Sequence, residues 1–213
     1  MSSTKDTEKP EKKSRFSRRG FLQGVSVGGG ALSTGILTPE AHAQSTPAGV
    51  ISGETPVTLT INGKPYKTSV EPRMTLLDVM RNSFDLTAAK RVCDRGTCGA
   101  CTVIVDAKAV YACTMLAIDA QGRQIQSLEG LSNGNSRHPI IDAFVNNDAQ
   151  QCGYCTPGFV MASKAFLDHN PKPTIQDVKE GLGGNLCRCG TYMGIRKAVV
   201  EASTQLKGGK VNA

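Results

Sequence analysis

Eight cysteines in two tight groups constrain this chain more than any other feature of its sequence. Cys93, Cys98, Cys101 and Cys113 are spaced C-x4-C-x2-C-x11-C, and Cys152, Cys155, Cys187 and Cys189 are spaced C-x2-C-x31-C-x-C. Whatever the fold, it must gather each set, so each half of the chain is organised around its own thiols. The apolar supply makes that useful: Trp is absent and aromatics are only 5% of 213 residues, so bound metal or disulfides would supplement hydrophobic burial. The first spacing is the opening of the plant-type [2Fe–2S] pattern, with three thiolates from one loop and a fourth from elsewhere. Gly96 and Gly99 let such a loop curl and let backbone N–H groups approach sulfur. Four thiolates suit iron–sulfur chemistry better than a hard cation, which takes oxygen. Zinc is a rival, since its four-thiolate sites also use C-x2-C, although C-x-C and C-x4-C-x2-C are less usual for it. Disulfides are a second rival, because an even cysteine count in an exported chain often means bridges. Against them, C-x-C and C-x2-C pairs make strained or atypical structural bridges. Unmodified core cysteine hardly explains two tight groups.

The first forty-odd residues read as an address. Met1 to Arg15 is polar and charged, Ser17-Arg18-Arg19-Gly20-Phe21-Leu22 follows, and a weakly apolar run spans Gly24 to Leu37. Ala41-His42-Ala43 closes the segment as an Ala-x-Ala cleavage signal. Paired arginines followed by Phe-Leu mark the twin-arginine route. Residues 1–43 are therefore expected to be a twin-arginine signal peptide, cleaved after Ala43, that sends a folded protein to the periplasm. The leader also explains part of the net charge of +7, since it holds seven basic and four acidic residues. The rest of the chain has no run of Lys/Arg, which removes the support for a nucleic-acid partner. No stretch reaches the roughly 18 apolar residues of a membrane span.

Residues 44–55 form a Pro/Gly/Ser linker, after which the apolar period is two. Val57 to Ile61 alternates as a half-buried strand, Asn62-Gly63 is a tight hairpin turn, and Lys64 to Val70 is the return strand. Thr75 caps a helix through Leu76, Leu77, Val79 and Met80. Cys101 to Val105 and Ala109 to Cys113 predict a second hairpin around Asp106-Ala107-Lys108, and Gln124 to Leu128 a closing strand. These make a small mixed sheet with one covered face. Beyond Gly134 the period becomes helical, with helices expected at Ile140–Val145, from Pro157, at Thr174–Leu182 and at Ile195–Ala202. The class is α+β, with a strand-rich domain over 56–131 and a helical domain over 137–205.

Three motifs carry a resemblance. Cys93-Asp94-Arg95-Gly96-Thr97-Cys98-Gly99-Ala100-Cys101, Gln151-Cys152-Gly153-Tyr154-Cys155-Thr156-Pro157-Gly158 and Gly184-Asn185-Leu186-Cys187-Arg188-Cys189-Gly190 resemble, in order, the signatures of the small iron–sulfur subunit of the molybdenum hydroxylases. That is the superfamily of xanthine oxidase and aldehyde oxidoreductase, and the likeness spans roughly Val57 to Ala202. With the leader included, the chain is most similar to the iron–sulfur subunit of bacterial periplasmic aldehyde oxidoreductases. The resemblance implies a β-grasp ferredoxin domain followed by a four-helix domain, each with one [2Fe–2S] cluster. The ligands would be Cys93, Cys98, Cys101 and Cys113 for the first, and Cys152, Cys155, Cys187 and Cys189 for the second. It further implies a large partner subunit carrying a molybdopterin cytosine dinucleotide, which Gln151 and Cys189 would touch, and a third subunit carrying FAD. The chain would pass electrons from the molybdopterin through both clusters to FAD while its partner oxidises aldehydes to carboxylic acids.

Two departures from the family pattern stand out. Val92 replaces a common Gly ahead of the first cysteine, and Cys189-Gly190-Thr191-Tyr192 replaces the commoner Cys-Thr-Gly-Tyr. The second variant also occurs in hydroxylases of N-heterocycles such as isoquinoline, which is the alternative reading; a disulfide-stapled exported binding module is another. Arg188, between two ligands, is a candidate for raising the nearer cluster's potential, and Tyr154 is expected to pack against that cluster. His138 and His169 read as helix-end residues. No Ser/His/Asp set, phosphate loop or carboxylate pair appears, so no catalytic residue is assigned to this chain.

Overall fold

Alternating apolar residues draw the first strands together. The structure, a computed structural model, describes residues 51–134 and 136–208. The expected signal peptide and most of the linker lie outside the described residues. Strand β1 (Thr55–Ile61) buries Val57, Leu59 and Ile61 and pairs antiparallel with β2 (Lys64–Val70). Asn62 and Gly63 both take positive φ (53° and 74°), which the two-residue turn requires. The Asn62 side chain also pins the neighbouring segment: its amide donates to Ser127 Oγ and its carbonyl accepts from Ser127 N, both at 2.9 Å. Helix α1 (Leu76–Asn82) begins in a capping box, with Thr75 Oγ1 accepting from Asp78 N and Asp78 accepting from Thr75 N. Such caps contribute about 1 kcal/mol.

Strands β3 (Thr102–Val105), β4 (Lys108–Tyr111) and β5 (Gln124–Gln126) complete a five-stranded sheet in the order β2-β1-β5-β3-β4, with β1 and β5 parallel. The β3–β4 turn is one residue tighter than the sequence suggests. Asp106 and Ala107 alone form it, both at positive φ, and Lys108 already pairs with Val105. Asp106 is held there by β5, since its N–H donates to Gln124 O and its carboxylate accepts from Gln124 N. After 3-10 turns at Ile118–Ala120 and Leu128–Leu131 comes a two-residue hairpin, β6 (Ser132–Asn133) and β7 (Ser136–Arg137), which the sequence did not announce.

Four helices follow: α2 (Pro139–Asn146), α3 (Thr156–His169), α4 (Ile175–Gly181) and α5 (Tyr192–Gly208). His138 caps α2 by accepting from Ile140 N through Nδ1, and a second capping box, Thr174 with Asp177, starts α4. Among the described residues no helix is long and apolar enough to cross a membrane. The class is α+β.

The apolar interior divides into two clusters, one under the sheet with Leu59, Leu76 and Met80, the other among the helices with Phe159, Ile140 and Val199. Strand β3 serves both. Val103 and Val105 point into the sheet's cluster, whereas Ile104 joins the helical one. All four β3 residues are buried because α3 packs on the face expected to be open. Sheet and helices thus share one strand and form one compact unit.

Candidate metal centres

The first cysteine set sits at the rim of the sheet's core. The loop from Cys93 to Cys101 turns through positive φ at Asp94, Gly96 and Gly99, then runs directly into β3. Cys113 follows β4, so the β3–β4 hairpin brings it back beside Cys101. The segment leading into Cys93 is pinned by Arg81, whose guanidinium donates to Thr87 O and Ala89 O, both at 2.8 Å. Arg91 is further tied to α1 through an ion pair with Asp78. Backbone donors face the sulfurs as the glycines foretell: Gly96 N lies 3.3 Å from Cys113 Sγ, and Thr97 N lies 3.4 Å from Cys93 Sγ.

The second set is gathered from the start of α3 and the α4–α5 loop. Cys155 occupies the N-cap position of α3, its thiol making no capping bond, and Cys152 stands exposed just before it. Cys187 is buried, its N–H donates to Tyr192 Oη at 2.9 Å, and its sulfur lies 3.2 Å from Thr191 Oγ1. Gly190, at φ +82°, turns the chain immediately after Cys189.

All eight cysteines are free thiols, four in each set. Within each set the thiols influence one another's ionisation: Cys98 acts on Cys93, Cys113 and Cys98 on Cys101, Cys189 and Cys187 on Cys152, and Cys187 and Cys152 on Cys155. Four thiols per set are the donor set of a [2Fe–2S] cluster, whose two irons share four cysteines. Backbone N–H donors at 3.3 and 3.4 Å from sulfur in the first set suit the charge such a cluster carries, so the residues fit it.

Within each site one thiol is primed and one suppressed. Hydrogen bonding from Thr97 and the Arg95 backbone holds Cys93 down at about 6, whereas burial pushes Cys101 up to about 12. In the second site burial pushes Cys155 up to about 12, with Cys187 alongside reinforcing it. Burial would also raise Cys187, but hydrogen bonds from Thr191, Cys155 and Cys189 outweigh it and bring the thiol down to about 7. The thiolate is the nucleophile. In metal-free protein at neutral pH, iodoacetamide is accordingly expected to label half-buried Cys93 and exposed Cys152, whose thiol is also lowered by hydrogen bonding, ahead of Cys101 and Cys155. Labelling of Cys93 should slow as the pH falls below about 6. Peptide mapping across pH checks both, and uniform labelling of the four would contradict the assignment.

The other residues singled out from the sequence fall as follows. Gln151 is exposed beside Cys152, and Arg188 is exposed between Cys187 and Cys189, where solvent screens its charge. Tyr154 is half in solvent; its hydroxyl donates to Arg91 O at 3.4 Å and Lys90 Nζ lies 5.9 Å from its ring centroid. It braces the first site's approach rather than packing wholly on the second. Val92 is exposed and its φ is not positive, so nothing in the loop's entry requires glycine. His169 Nδ1 lies 2.9 Å from Ala165 O in the last turn of α3. Two residues stand between the sites: Tyr111, two before Cys113 and outside any motif, and Asn185, two before Cys187 and inside the third motif. The motif alone gives Asn185 no role, because its partners are 83 and 86 residues away.

Comparison with known proteins agrees with this geometry. Residues 59–129 match the 2Fe-2S iron-sulfur cluster binding domain family, and residues 127–200 match the [2Fe-2S] binding domain family. The aldehyde oxidoreductase iron-sulfur-binding subunit PaoA of Escherichia coli (strain K12) is 36% identical over 200 residues, covering 86% of this chain and 87% of that one. The nicotine 6-hydroxylase small subunit of Paenarthrobacter nicotinovorans is 44% identical over 146 residues, covering 68% of this chain and 88% of that one. Among solved structures, a chain of quinoline 2-oxidoreductase from Pseudomonas putida 86 superposes with a TM-score of 0.71 at 38% identity, covering 75% of this chain and all of that one. The chain belongs to the iron–sulfur subunits of the molybdenum hydroxylases. It is an electron-transfer subunit of an oxidoreductase.

Proposed function

We propose that this chain is the two-cluster electron relay of a periplasmic, molybdenum-dependent aldehyde oxidoreductase. The observation that carries the reading is the presence of two sets of four free thiols, with backbone N–H groups 3.3 and 3.4 Å from sulfur in the first. Cys93, Cys98, Cys101 and Cys113 would hold one [2Fe–2S] cluster in a β-grasp domain. Cys152, Cys155, Cys187 and Cys189 would hold the other in the four-helix domain that follows. When bound, the clusters supply one-electron redox chemistry between one partner bearing molybdopterin and another bearing FAD.

What this chain contributes is confinement, donors and docking. Burial of Cys101, Cys113 and Cys187 keeps water from part of each site, and backbone N–H groups of Gly96 and Thr97 stabilise charge on sulfur. Exposed Gln151 and half-buried Cys189 would meet the pterin cytosine dinucleotide of a large partner, a reading their accessibility supports. Val92, Tyr154, Leu186 and Met193 are large apolar side chains left at least half exposed close to ligand cysteines, as a permanent subunit interface would leave them. The aldehyde assignment is supported by the alignment with the aldehyde oxidoreductase protein, which runs over 200 residues against 146 for the nicotine hydroxylase. Export through the twin-arginine route rests on Arg18-Arg19 and Ala41-His42-Ala43.

The test is the visible spectrum and the iron and sulfide content of the chain purified anaerobically with its partners. About four irons and four sulfides per chain, with a reddish-brown absorption bleached by dithionite, are expected for two binuclear clusters. Acceptor reduction by aldehydes, assayed on the same preparation, tests the substrate class. A colourless protein with no free thiols would overturn the relay and restore the disulfide reading.

A further inference from the structure

Three consecutive residues ahead of Cys187 each hydrogen-bond to the frame of the first metal site. The carbonyl of Gly184 accepts from Tyr111 Oη at 2.7 Å. Asn185 Nδ2 donates to the Gly99 carbonyl at 2.9 Å and approaches Thr102 Oγ1 at 3.3 Å. Leu186 N donates to the Cys98 carbonyl at 2.9 Å. Only the third carries an exposed side chain; Asn185 is 6% exposed. The fit is close on both sides: a Cβ on Gly99 would come within 2.5 Å of Asn185 Nδ2, and one on Gly184 within 2.3 Å of Tyr111 Oη.

Gly99 and Cys98 belong to the loop that presents three of the first site's thiols, while Cys187 and Cys189 are half of the second site's. Neither segment is regular structure, so each depends on its partners for its conformation. The Gly99 carbonyl also accepts from Thr102 N at 3.1 Å and Thr102 Oγ1 at 2.6 Å, which anchors this point of the loop to β3. A cluster that orders one segment therefore orders the other through a buried amide.

We propose that Asn185 is a positioning residue that locks the Cys187/Cys189 arm to the Cys98–Cys101 loop, so that the two sites gain and lose their clusters as a coupled pair. The inference rests on the two-cluster reading above. Coupling of this kind is reciprocal: the factor by which the first cluster tightens the second equals the factor by which the second tightens the first.

Chelator challenge of the intact complex tests it, with samples withdrawn over time, reduced with dithionite and read by EPR. In the unaltered protein the signals of the two clusters should disappear together. Asn185→Asp keeps the side chain's size but removes both donors and sets an oxygen against the Gly99 carbonyl. There the second signal should decay about tenfold faster than the first. Tyr111→Phe, which removes one hydroxyl at the edge of the contact, should separate the two decays by less, and it serves if the first variant fails to accumulate. Independent decay in the unaltered protein, or decays that stay together in the variants, would overturn the coupling. Absence of two distinct signals before any chelator is added would instead refute the two-cluster reading itself.

Discussion

Gly158→Ala is expected to strip the first metal site of its cluster and to lower the melting temperature of the whole unit. Gly158 is the third residue of α3, where alanine would ordinarily favour the helix. Here a Cβ would lie 2.3 Å from the Gly99 carbonyl oxygen and 2.9 Å from the Ala100 Cα. Both are backbone atoms, so no side chain can swing away to make room. The loop cannot retreat either, because Gly99 O is held from three directions by Thr102 and Asn185 and its flanks are Cys98 and Cys101. Overpacking of this kind costs about 1–3 kcal/mol. For a unit of this size that is a fall of roughly 2–4 °C for each kcal/mol. Gly183→Ala is the control, since its Cβ would meet nothing closer than 3.3 Å. Thermal melts and iron content of the two variants check this; equal iron in both would defeat it.

The same contact explains what the sequence could and could not disclose. Local chemistry was legible. Asn62-Gly63 marked the first turn, Thr75 and Thr174 marked two helix starts, and positive φ at Gly96 and Gly99 is what curling the metal loop demands. The cysteine spacings marked two sites because ligands on one loop or one helix start must be near in sequence. What failed to show was whatever depends on the two halves meeting. Strand β3 reads as half-buried, yet all four of its residues are covered, since Ile104 faces Phe159 and its helical neighbours. Gly158 reads as a poor helix residue until Gly99 is found against it. Tyr111 carries no motif signal, and the motif that holds Asn185 does not disclose its contact, because their bonds span 73 to 86 residues. The register of β4 belongs with these, as Asp106 is fixed by Gln124 and not by its own turn.

Cys101→Ser is expected to abolish electron transfer through the chain, read as turnover of the complex with an artificial acceptor, and to destabilise the fold, and the second effect is what distinguishes it. Cys101 is 3% exposed among the apolar residues under the sheet, beside Cys113 and directly before β3. A serine there would lose a proposed cluster ligand and leave a hydroxyl among apolar residues, where an unsatisfied polar group costs about 1–3 kcal/mol. Cys152→Ser would lose a proposed ligand too, but Cys152 is exposed and its replacement buries nothing. Both variants should lose turnover, because a relay fails when either of its stations is missing. Each should lack the EPR signal of its own cluster, and only Cys101→Ser should lower the melting temperature beyond what the missing cluster accounts for. The comparison that isolates this contribution is the metal-free form of each variant against the metal-free parent. There Cys152→Ser should melt with the parent and Cys101→Ser below it. If the two metal-free variants melt together, the burial of Cys101 contributes nothing to stability, and the thiol is there for the metal alone.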